Sequence, residues 1–352
     1  MVVKFINLRA IPIVALIAAL HLNSAPAQSA KSSHLSAASQ KAIEKAKADV
    51  EFYEGFKGQK DPSLVAPLTN LGRQYKANGL FTEAEPPYLR ALNITENSYG
   101  STDEKTAWAL NHLAELYVAA ERFDAASKHF ERAIAIVTAK SGAENANAAT
   151  LIHNLAKAKR GAGELNQAES LYLKALSIYQ SKLGADHIDT ATAHHNLGSL
   201  LTEQKRYPDA LRHLDRALEI RTTKLGENNP ETALTLNNIG KVHLAQNNLK
   251  EAAQPLVVSL GIASAELGAA HPVSLAAVDD VVSLYLLQKR HKEAELLLLE
   301  KIRTLEKSRG SRFVDAAADL DRLASVQSTL GKTKEAKANS QRAAQIRQRT
   351  KK

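Results

Sequence analysis

The chain has 352 residues, a formal net charge of +9 and no cysteine. Without cysteine it cannot form a disulfide, a thiolate metal site or a cysteine nucleophile. The positive charge lies at the two ends: Lys4 and Arg9 near the start have no acidic counterpart, and the segment 331–352 has eight basic residues against Glu335 alone. Residues 28–330 are therefore neutral overall, which argues against a nucleic-acid-binding surface along the body of the chain.

The N-terminal segment has the layout of a secretory signal peptide. Lys4 and Arg9 flank its start, an apolar run covers residues 10–22, and small residues lead to Ala25 and Ala27. We expect cleavage after Ala27, which removes residues 1–27 and leaves a periplasmic or secreted mature chain. The alternative is an uncleaved N-terminal anchor, although the apolar run is short for a bilayer span. Residues 28–38 are small and polar, and we interpret them as a flexible linker.

From there to its end, the sequence repeats with a fixed step of 42 residues. An aliphatic column, an alanine column and a glycine column show this step. They consist of Leu71, Leu113, Leu155, Leu197, Ile239, Val281 and Leu323; of Ala84, Ala126, Ala168, Ala210, Ala252, Ala294 and Ala336; and of Gly58, Gly100, Gly142, Gly184, Gly226, Gly268 and Gly310. One period without insertions predicts supersecondary units that bury their apolar faces by stacking on their neighbours.

Each unit predicts two amphipathic helices. Helix A carries the aliphatic column, and helix B carries the alanine column. Small residues directly after the aliphatic column, such as Gly72, permit another helix to approach closely. The glycine column ends helix B, because a left-handed C-terminal residue costs glycine no Cβ clash. The register predicts an N-terminal capping helix, or half repeat, over residues 39–65, seven repeats over 66–349 and a basic tail over 350–352.

Three stretches, "HNLGSLLTEQKRYPDALRHLDRALEI", "TNLGRQYKANGLFTEAEPPYLRALNI" and the linker "LGAAHPVSLAA", resemble the tetratricopeptide repeat. The 42-residue step is similar to the kinesin light chain type, which many bacterial proteins also contain. The resemblance implies an all-α fold, a right-handed α-solenoid of antiparallel helix pairs. It further implies that helix A lines a concave groove that binds a peptide or a protein segment.

In proteins that resemble this family, partner contacts come from helix A, just before the aliphatic column and one helical turn away. The candidate groove residues at and around these positions are Asn70, Arg73, Trp108, His112, Asn154, Lys157, Asn196, Asn238 and Lys241. An amide can donate to and accept from a peptide backbone, and the scattered cations suit an acidic ligand. The alternative is that the amides satisfy neighbouring helix ends or face water.

Two further groups of residues have more than one interpretation. Trp108 is either an aromatic anchor for a ligand or a partly buried packing residue. His153 and His195 occupy equivalent positions on adjacent repeats, and as groove residues they would make binding depend on pH near 6. Neither interpretation requires a metal, and we expect no metal site.

No phosphate-binding glycine loop or nucleophile elbow is present, and the repeats occupy nearly all of the mature chain. We therefore expect no enzymatic activity and no cofactor. The leading hypothesis is an exported scaffold or adaptor that binds a protein or peptide segment. The alternatives are a self-associating scaffold of the cell envelope and a protein that binds anionic surfaces through its basic C-terminal tail. We expect no nucleic-acid partner and no stable membrane insertion, and we leave homo-oligomerisation open.

Overall fold

The fold is α-helical, without strands, over the residues that the computed structural model describes, 37–309 and 316–349. Helix α1 (Ala37–Lys57) is followed by a short 3-10 turn (Pro62–Leu64) and then by further α-helices. These are α2 (Val65–Ala77), α3 (Phe81–Tyr99), α4 (Glu104–Ala119), α5 (Phe123–Ser141), α6 (Ala146–Gly161), α7 (Leu165–Lys182), α8 (Ile188–Glu203), α9 (Tyr207–Leu225), α10 (Pro230–Ala245), α11 (Leu249–Leu267), α12 (Pro272–Leu287), α13 (His291–Arg309), α14 (Ala316–Thr329) and α15 (Thr333–Arg349). The all-α prediction is confirmed. The predicted signal peptide, most of the linker and the tail 350–352 lie outside the described residues.

The helices fall into two compact units, which we call the first unit (described over 37–206) and the second unit (described over 207–349). Within each unit every helix packs on its neighbours in sequence. The even-numbered helices α2 to α14 are the predicted helices A, and the odd-numbered helices α3 to α15 are the predicted helices B. Helices A also contact each other directly, as α2 with α4, α4 with α6, and α10 with α12. None of the helices in the described ranges has both the length and the apolar character to cross a bilayer.

The predicted columns form the cores of both units. All seven alanines of the alanine column are buried, with at most 5% of their surface exposed. Ala84 and Ala126 of the first unit belong to one core cluster with the fully buried Leu113 and Phe130, and Ala252 and Ala294 of the second unit belong to another with Leu256 and Leu297. These contacts confirm that the repeat buries its apolar faces by stacking.

The small residues after the aliphatic column permit close helix contacts, as predicted. A Cβ atom added to Gly72 of α2 would lie 2.8 Å from the Tyr88 ring of α3. A Cβ atom added to Gly240 of α10 would lie 2.5 Å from Cγ of Leu256 on α11. Both distances are shorter than van der Waals contact, so each helix A reaches its helix B only because the side chain is missing.

The described members of the glycine column end helix B, but in a different conformation from the one predicted; Gly310 lies outside the described residues. Gly100, Gly142 and Gly268 have positive φ values of 96°, 81° and 87°. Their ψ values of 156°, 159° and 153° are extended, whereas a left-handed helical cap has ψ near 47°. This region of backbone space is essentially restricted to glycine. The chain therefore leaves helix B extended and reaches the next helix A within a few residues.

A further fixed position was not predicted from the sequence. The turn from helix A to helix B has one residue with positive φ every 42 residues, between 57° and 81°. These residues are Gly79, Glu121, Gly163, Lys205, Asn247, Lys289 and Gly331. The mixture of residue types conceals the common backbone conformation.

Candidate functional site

The nine candidate groove residues are divided between the two units. Seven lie on helices A of the first unit, namely Asn70, Arg73, Trp108, His112, Asn154, Lys157 and Asn196. Asn238 and Lys241 lie on α10 in the second unit.

An open depression of about 350 Å³ lies in the first unit between helices α2, α4, α5 and α6. We call it the Lys157 depression; its lining residues are Lys76, Ala77, Glu115, Val118, Ala119, Phe130, Asn154 and Lys157. The structure thus brings two candidate residues, Asn154 and Lys157, together with an acid and a second base. Lys76 was not among the candidate residues, because it lies three positions beyond Arg73 on α2.

The charges inside the Lys157 depression are only partly compensated. Lys76 Nζ donates to Glu115 Oε2 at 2.9 Å, and Asn111 Nδ2 donates to Glu115 Oε1 at 3.2 Å. Burial disfavours the charged Glu115 carboxylate, but the Lys76 ammonium and these hydrogen bonds outweigh burial and lower its pKa. Lys157 is exposed and forms no ion pair with any described residue. The depression therefore contains one compensated ion pair and one uncompensated cation.

The asparagines of the candidate set join successive helices A. Asn154 Nδ2 donates to Asn111 Oδ1 at 2.9 Å, and the Asn196 amide bonds to His153 Nε2 at 2.7 Å. In both cases the residue before the aliphatic column bonds to a residue 43 positions earlier, on the preceding helix A. The amides thus have a structural role between helices. Within the described residues, Oδ1 of Asn154 accepts no hydrogen bond and is available to a ligand.

His153 is not a groove residue that titrates near pH 6, contrary to expectation. Its side chain is 6% exposed and packs edge-on against the Tyr172 ring, with the ring centroids 5.1 Å apart. Burial, aided by the charge of Lys157, lowers the pKa of His153 to about 3. The ring is therefore neutral at physiological pH and serves as the partner of Asn196.

The remaining candidates of the first unit differ in exposure. Arg73 is exposed, and one guanidinium nitrogen donates to Asn70 Oδ1 at 2.9 Å. Trp108 is partly buried and packs against the core of the first unit. The His112 ring stacks on Tyr88 with a centroid distance of 6.4 Å, and burial lowers the pKa of His112. Of these four, Arg73 is the side chain whose charge faces solvent.

In the second unit, charged groups join the helices A. Asn237 Nδ2 donates to Asp280 Oδ2 at 2.8 Å, and Arg322 Nη1 donates to Asp279 Oδ1 at 2.9 Å, again across 43 residues. Lys301 of α13 donates to Asp279 at 2.7 Å and to the buried Asp319 at 2.9 Å. Lys241 is exposed on α10, and Asn238 beside it is half-buried. Internal ion pairs therefore satisfy Asp279, Lys301, Asp319 and Arg322, whereas Lys241 forms no ion pair with any described residue.

The basic C-terminal segment is also partly neutralised. Lys332 donates to the buried Glu295 at 2.7 Å, Arg342 pairs with Glu306, and Arg347 pairs with Asp321. These contacts tie α15 to α13 and α14. They reduce the positive charge that this segment offers to an anionic surface. No group of three or more potential metal ligands occurs in the described part of the chain.

The chain has clear similarity to known repeat proteins. The profile of the tetratricopeptide repeat matches residues 63–139, 147–223 and 190–265. The solved structure of BtubC (BKLC) from P. vanneervenii is 26% identical, with 67% of this chain and 94% of that chain covered and a TM-score of 0.55.

Two more distant structures share the fold. The apo form of the quorum sensor NprR from B. thuringiensis is 14% identical, with 87% of this chain and 83% of that chain covered and a TM-score of 0.58. The apo form of RapI is 16% identical, with 82% of this chain and 98% of that chain covered and a TM-score of 0.57. Comparison with curated protein sequences gives no match.

Proposed function

Because the chain belongs to the tetratricopeptide repeat family, we propose that it is a non-enzymatic scaffold that binds a peptide or protein segment at the Lys157 depression. The observation that carries this proposal is the unpaired Lys157 ammonium beside the compensated Lys76–Glu115 pair. A cation that no internal acid neutralises attracts a ligand carboxylate without first breaking an existing ion pair.

The lining of the depression supports an acidic, extended segment as the ligand. Lys157 would pair with a carboxylate, and Oδ1 of Asn154 would accept a backbone N–H of the segment. Val118 and Ala119 supply an apolar wall for an aliphatic portion of the ligand. A volume of about 350 Å³ is near the lower end of the range of ligand sites. We therefore expect one or two ligand side chains to enter it while the rest of the segment follows the helices A.

The proposal is tested with displayed random dodecapeptides selected on the mature chain, residues 28–352. We expect the selected peptides to be enriched in Asp and Glu. The Lys157→Glu variant should bind them at least about tenfold more weakly, equivalent to about 1.4 kcal/mol. Binding should also weaken as salt is increased, because an exposed charge pair is screened.

Lys174→Glu is the matched control, since Lys174 is an exposed lysine on helix α7 and does not line the depression. It makes the same change in net charge. If both variants weaken binding equally, the effect is a general charge effect and the proposed site is wrong. If selection enriches no peptide at all, the scaffold hypothesis for this surface is wrong.

We also propose that the protein acts in the periplasm or outside the cell, on the basis of the signal-peptide pattern over residues 1–27. The full chain would be expressed in a Gram-negative bacterium, and the intact mass of the periplasmic product would be measured. A product that begins at Gln28 supports export with cleavage after Ala27. A full-length product in the cytosol contradicts this proposal without affecting the proposed peptide site.

A further inference from the structure

The outer surface of helix α1 presents three aromatic side chains to solvent. Phe52 is 67% exposed, Phe56 is 73% exposed and Tyr53 is 38% exposed. The Phe52 ring stacks on Phe56 at a centroid distance of 6.4 Å and meets Tyr53 edge-on at 5.7 Å. We call these three residues the α1 aromatic patch. Contiguous exposed aromatic surface of this kind is typical of an interaction site.

The repeat register shows what normally covers this patch. Phe52 lies 42 residues before Ile94, and the isoleucines at the equivalent positions 94, 136, 178, 220 and 262 are at most 9% exposed. Tyr53 is equivalent to Tyr179, which is 4% exposed and donates its hydroxyl to Thr150 Oγ1 on α6 at 3.1 Å. Helix α6 is the helix A that pairs with α7. Phe52 and Tyr53 therefore lie on the surface of a helix B where its own helix A would pack. Phe56 extends this surface by one helical turn, at a position where the other repeats have exposed polar residues such as Lys140 and Lys182.

The chain's own sequence does not provide an apolar helix at that position. Residues 20–35 stand 84 positions before α4 and read "LHLNSAPAQSAKSSHL". Ser29 replaces the aliphatic column residue, and Pro26 stands in the middle of the segment. A segment with a central proline and small polar residues cannot present the stripe of apolar side chains that the patch requires. The sequence at this register therefore does not encode the missing helix A, which leaves the patch open to a partner.

The exposed face of α1 is complementary to itself. The face that carries Phe52 and Phe56 continues toward the N-terminus through Ala48, Lys45 and Lys41, at helical spacing. We propose that a second copy of this chain covers the α1 aromatic patch, with the two α1 helices antiparallel and crossing near Ala48. In that arrangement the two phenylalanine rings of one helix lie over the lysine side chains of the other.

Cation–π contacts favour this arrangement. An ammonium group already lies against one ring of the patch, since Lys57 Nζ is 5.1 Å from the Phe56 centroid. In an antiparallel pair that crosses near Ala48, the exposed Lys45 and Lys41 of one helix lie opposite Phe52 and Phe56 of the other, and the two-fold axis repeats these contacts. The inner face of α1, with Ile43, Ala46 and Val50 at most 7% exposed, remains packed on its own unit.

The other end of the array does not match the patch. Helix α15 exposes polar side chains along one stripe, namely Lys337, Gln341, Gln345 and Gln348. Packing aromatic rings on this stripe would bury amide and ammonium groups without hydrogen-bond partners. Two identical patches that face each other instead form a closed two-fold pair.

The absence of cysteine permits a direct test of the crossing point. In the mature chain, Ala48→Cys would place two thiols at the crossing of the α1 helices, within the short Cβ–Cβ separation that a disulfide needs. We expect nearly complete disulfide-linked dimer after mild oxidation. Lys174→Cys is the matched control, because position 174 lies 126 residues further on at the same point of the repeat and is exposed on α7. It should remain unlinked.

A second measurement keeps the proposal testable without a disulfide. Sedimentation velocity of the mature wild-type chain at about 50 µM should show a dimer. The Phe52→Glu/Phe56→Glu double variant should be a helical monomer, with a dimer dissociation constant raised at least about 100-fold, equivalent to about 2.7 kcal/mol. Because both side chains are exposed, circular dichroism should show unchanged helix content.

Three outcomes would overturn the proposal: a monomeric wild-type chain, a dimer that survives the double substitution, and a dimer in which Ala48→Cys does not link. A monomer would exclude a second copy and leave a helix of a different protein as the remaining candidate occupant of the patch. Lys157→Glu should leave the dimer intact, so the test is independent of the proposed peptide site.

Discussion

Both units connect successive helices A through side chains 43 residues apart, but the bonded groups differ between the units. In the first unit neutral groups join successive helices A, through Asn154 to Asn111 and Asn196 to His153. In the second unit charged groups make the joint, through Arg322 to Asp279, with Lys301 linking Asp279 to Asp319. Both kinds of bond span 43 residues. The first unit also has exposed or partly exposed ion pairs between helices A, Lys76–Glu115 and Arg160–Glu203, whereas the second unit in addition buries both partners of an ion pair, Lys301–Asp319.

This difference shows why a polar ladder on helix A cannot be interpreted as a ligand site from residue type alone. Beside the Asn154–Asn111 bond of the first unit, Lys157 has no acidic partner among the described residues, so a cation remains for a ligand. At Asp279 of the second unit the charges are already paired with Lys301 and Arg322, and a ligand would have to compete with these pairs. The capacity to bind therefore follows the unpaired charge.

The largest expected effect comes from breaking the charged joint of the second unit. Lys301 is 9% exposed, and Lys301→Met leaves the Asp319 carboxylate, 7% exposed, without its cation. Removing one partner of a buried ion pair costs about 3 kcal/mol or more. We expect this loss in the free energy of unfolding at pH 7, measured by urea denaturation followed by circular dichroism.

The pH dependence identifies the unpaired carboxylate as the cause. Burial already raises the pKa of Asp319 above its ordinary value of 3.8, and loss of Lys301 should raise it further. Because the pKa of the Asp319 carboxyl is higher in the folded chain than in the unfolded chain, its protonation stabilises the fold fully below pH 3.8. This stabilisation is lost as the pH rises through the folded-state pKa. The deficit of Lys301→Met should therefore shrink on acidification. Lys301→Met/Asp319→Leu should recover most of the loss at pH 7; a double variant as unstable as the single one would contradict this explanation.

We expect a smaller effect on the free energy of unfolding at the neutral His153–Asn196 bond of the first unit. Here acidification should lower stability, whereas it should reduce the deficit of Lys301→Met. The pKa of His153 is about 3 in the folded chain, below its ordinary value of 6.5. The unfolded chain therefore binds more protons, so stability is complete above about pH 6.5 and falls as the pH decreases. Between pH 7.5 and pH 5 we expect a loss of about 2 kcal/mol from this residue.

His153→Asn is the matched variant for this prediction. It places at position 153 the residue found 42 positions earlier, Asn111, which already bonds to Asn154. Urea denaturation of the variant should show about 2 kcal/mol less change between the two pH values than the wild type. An equal change in both proteins would mean that His153 does not remain neutral in the folded chain.

A still smaller change in stability distinguishes the two roles of Asn154, its hydrogen bond between helices A and its proposed contact with the peptide ligand. Asn154→Ala and Asn111→Ala both remove the bond between these residues, which should cost about 1 kcal/mol of stability. Asn111→Ala also removes the hydrogen bond to Glu115 and should be the less stable variant by about a further 1 kcal/mol. Because Asn154 lines the Lys157 depression and Asn111 does not, we expect the more stable variant, Asn154→Ala, to bind the selected acidic peptides more weakly. Equal binding by both would show that Asn154 acts only between helices.

The repeat determined which parts of this structure were predictable. The alanine and aliphatic columns are conspicuous because each is chemically uniform, and they correctly predicted the helices and their buried faces. The joints between helices A were not predicted, because their positions alternate among asparagine, histidine, aspartate and arginine. Each of these bonds joins two different residues that are 43 positions apart. Columns of one residue type at a step of 42 do not reveal such pairs. The burial of His153 was missed because register alone makes it equivalent to His195, and the sequence does not show that one is buried and the other half-buried.

The smallest expected effect concerns a feature that the two units share. Glu121 in the first unit and Lys289 in the second have φ values of 57° and 58° in the turn from helix A to helix B. A side chain at positive φ costs about 1 kcal/mol or more, and glycine removes this cost but loses about 0.5–1 kcal/mol through its larger unfolded-state entropy. Glu121→Gly and Lys289→Gly should therefore each raise the free energy of unfolding by at most about 0.5 kcal/mol.

Gly163→Ala, at the equivalent turn with φ of 81°, is the reciprocal variant and should destabilise the chain by about 1 kcal/mol. Urea denaturation of the three variants at pH 7 tests whether the turns behave alike in both units. Equal small increases in the free energy of unfolding at positions 121 and 289 would mean that the turns behave alike. The difference between the units would then lie in the side-chain bonds between helices A. A gain in only one unit would mean that the turns also differ, because the surrounding contacts would then decide the strain of the same backbone conformation.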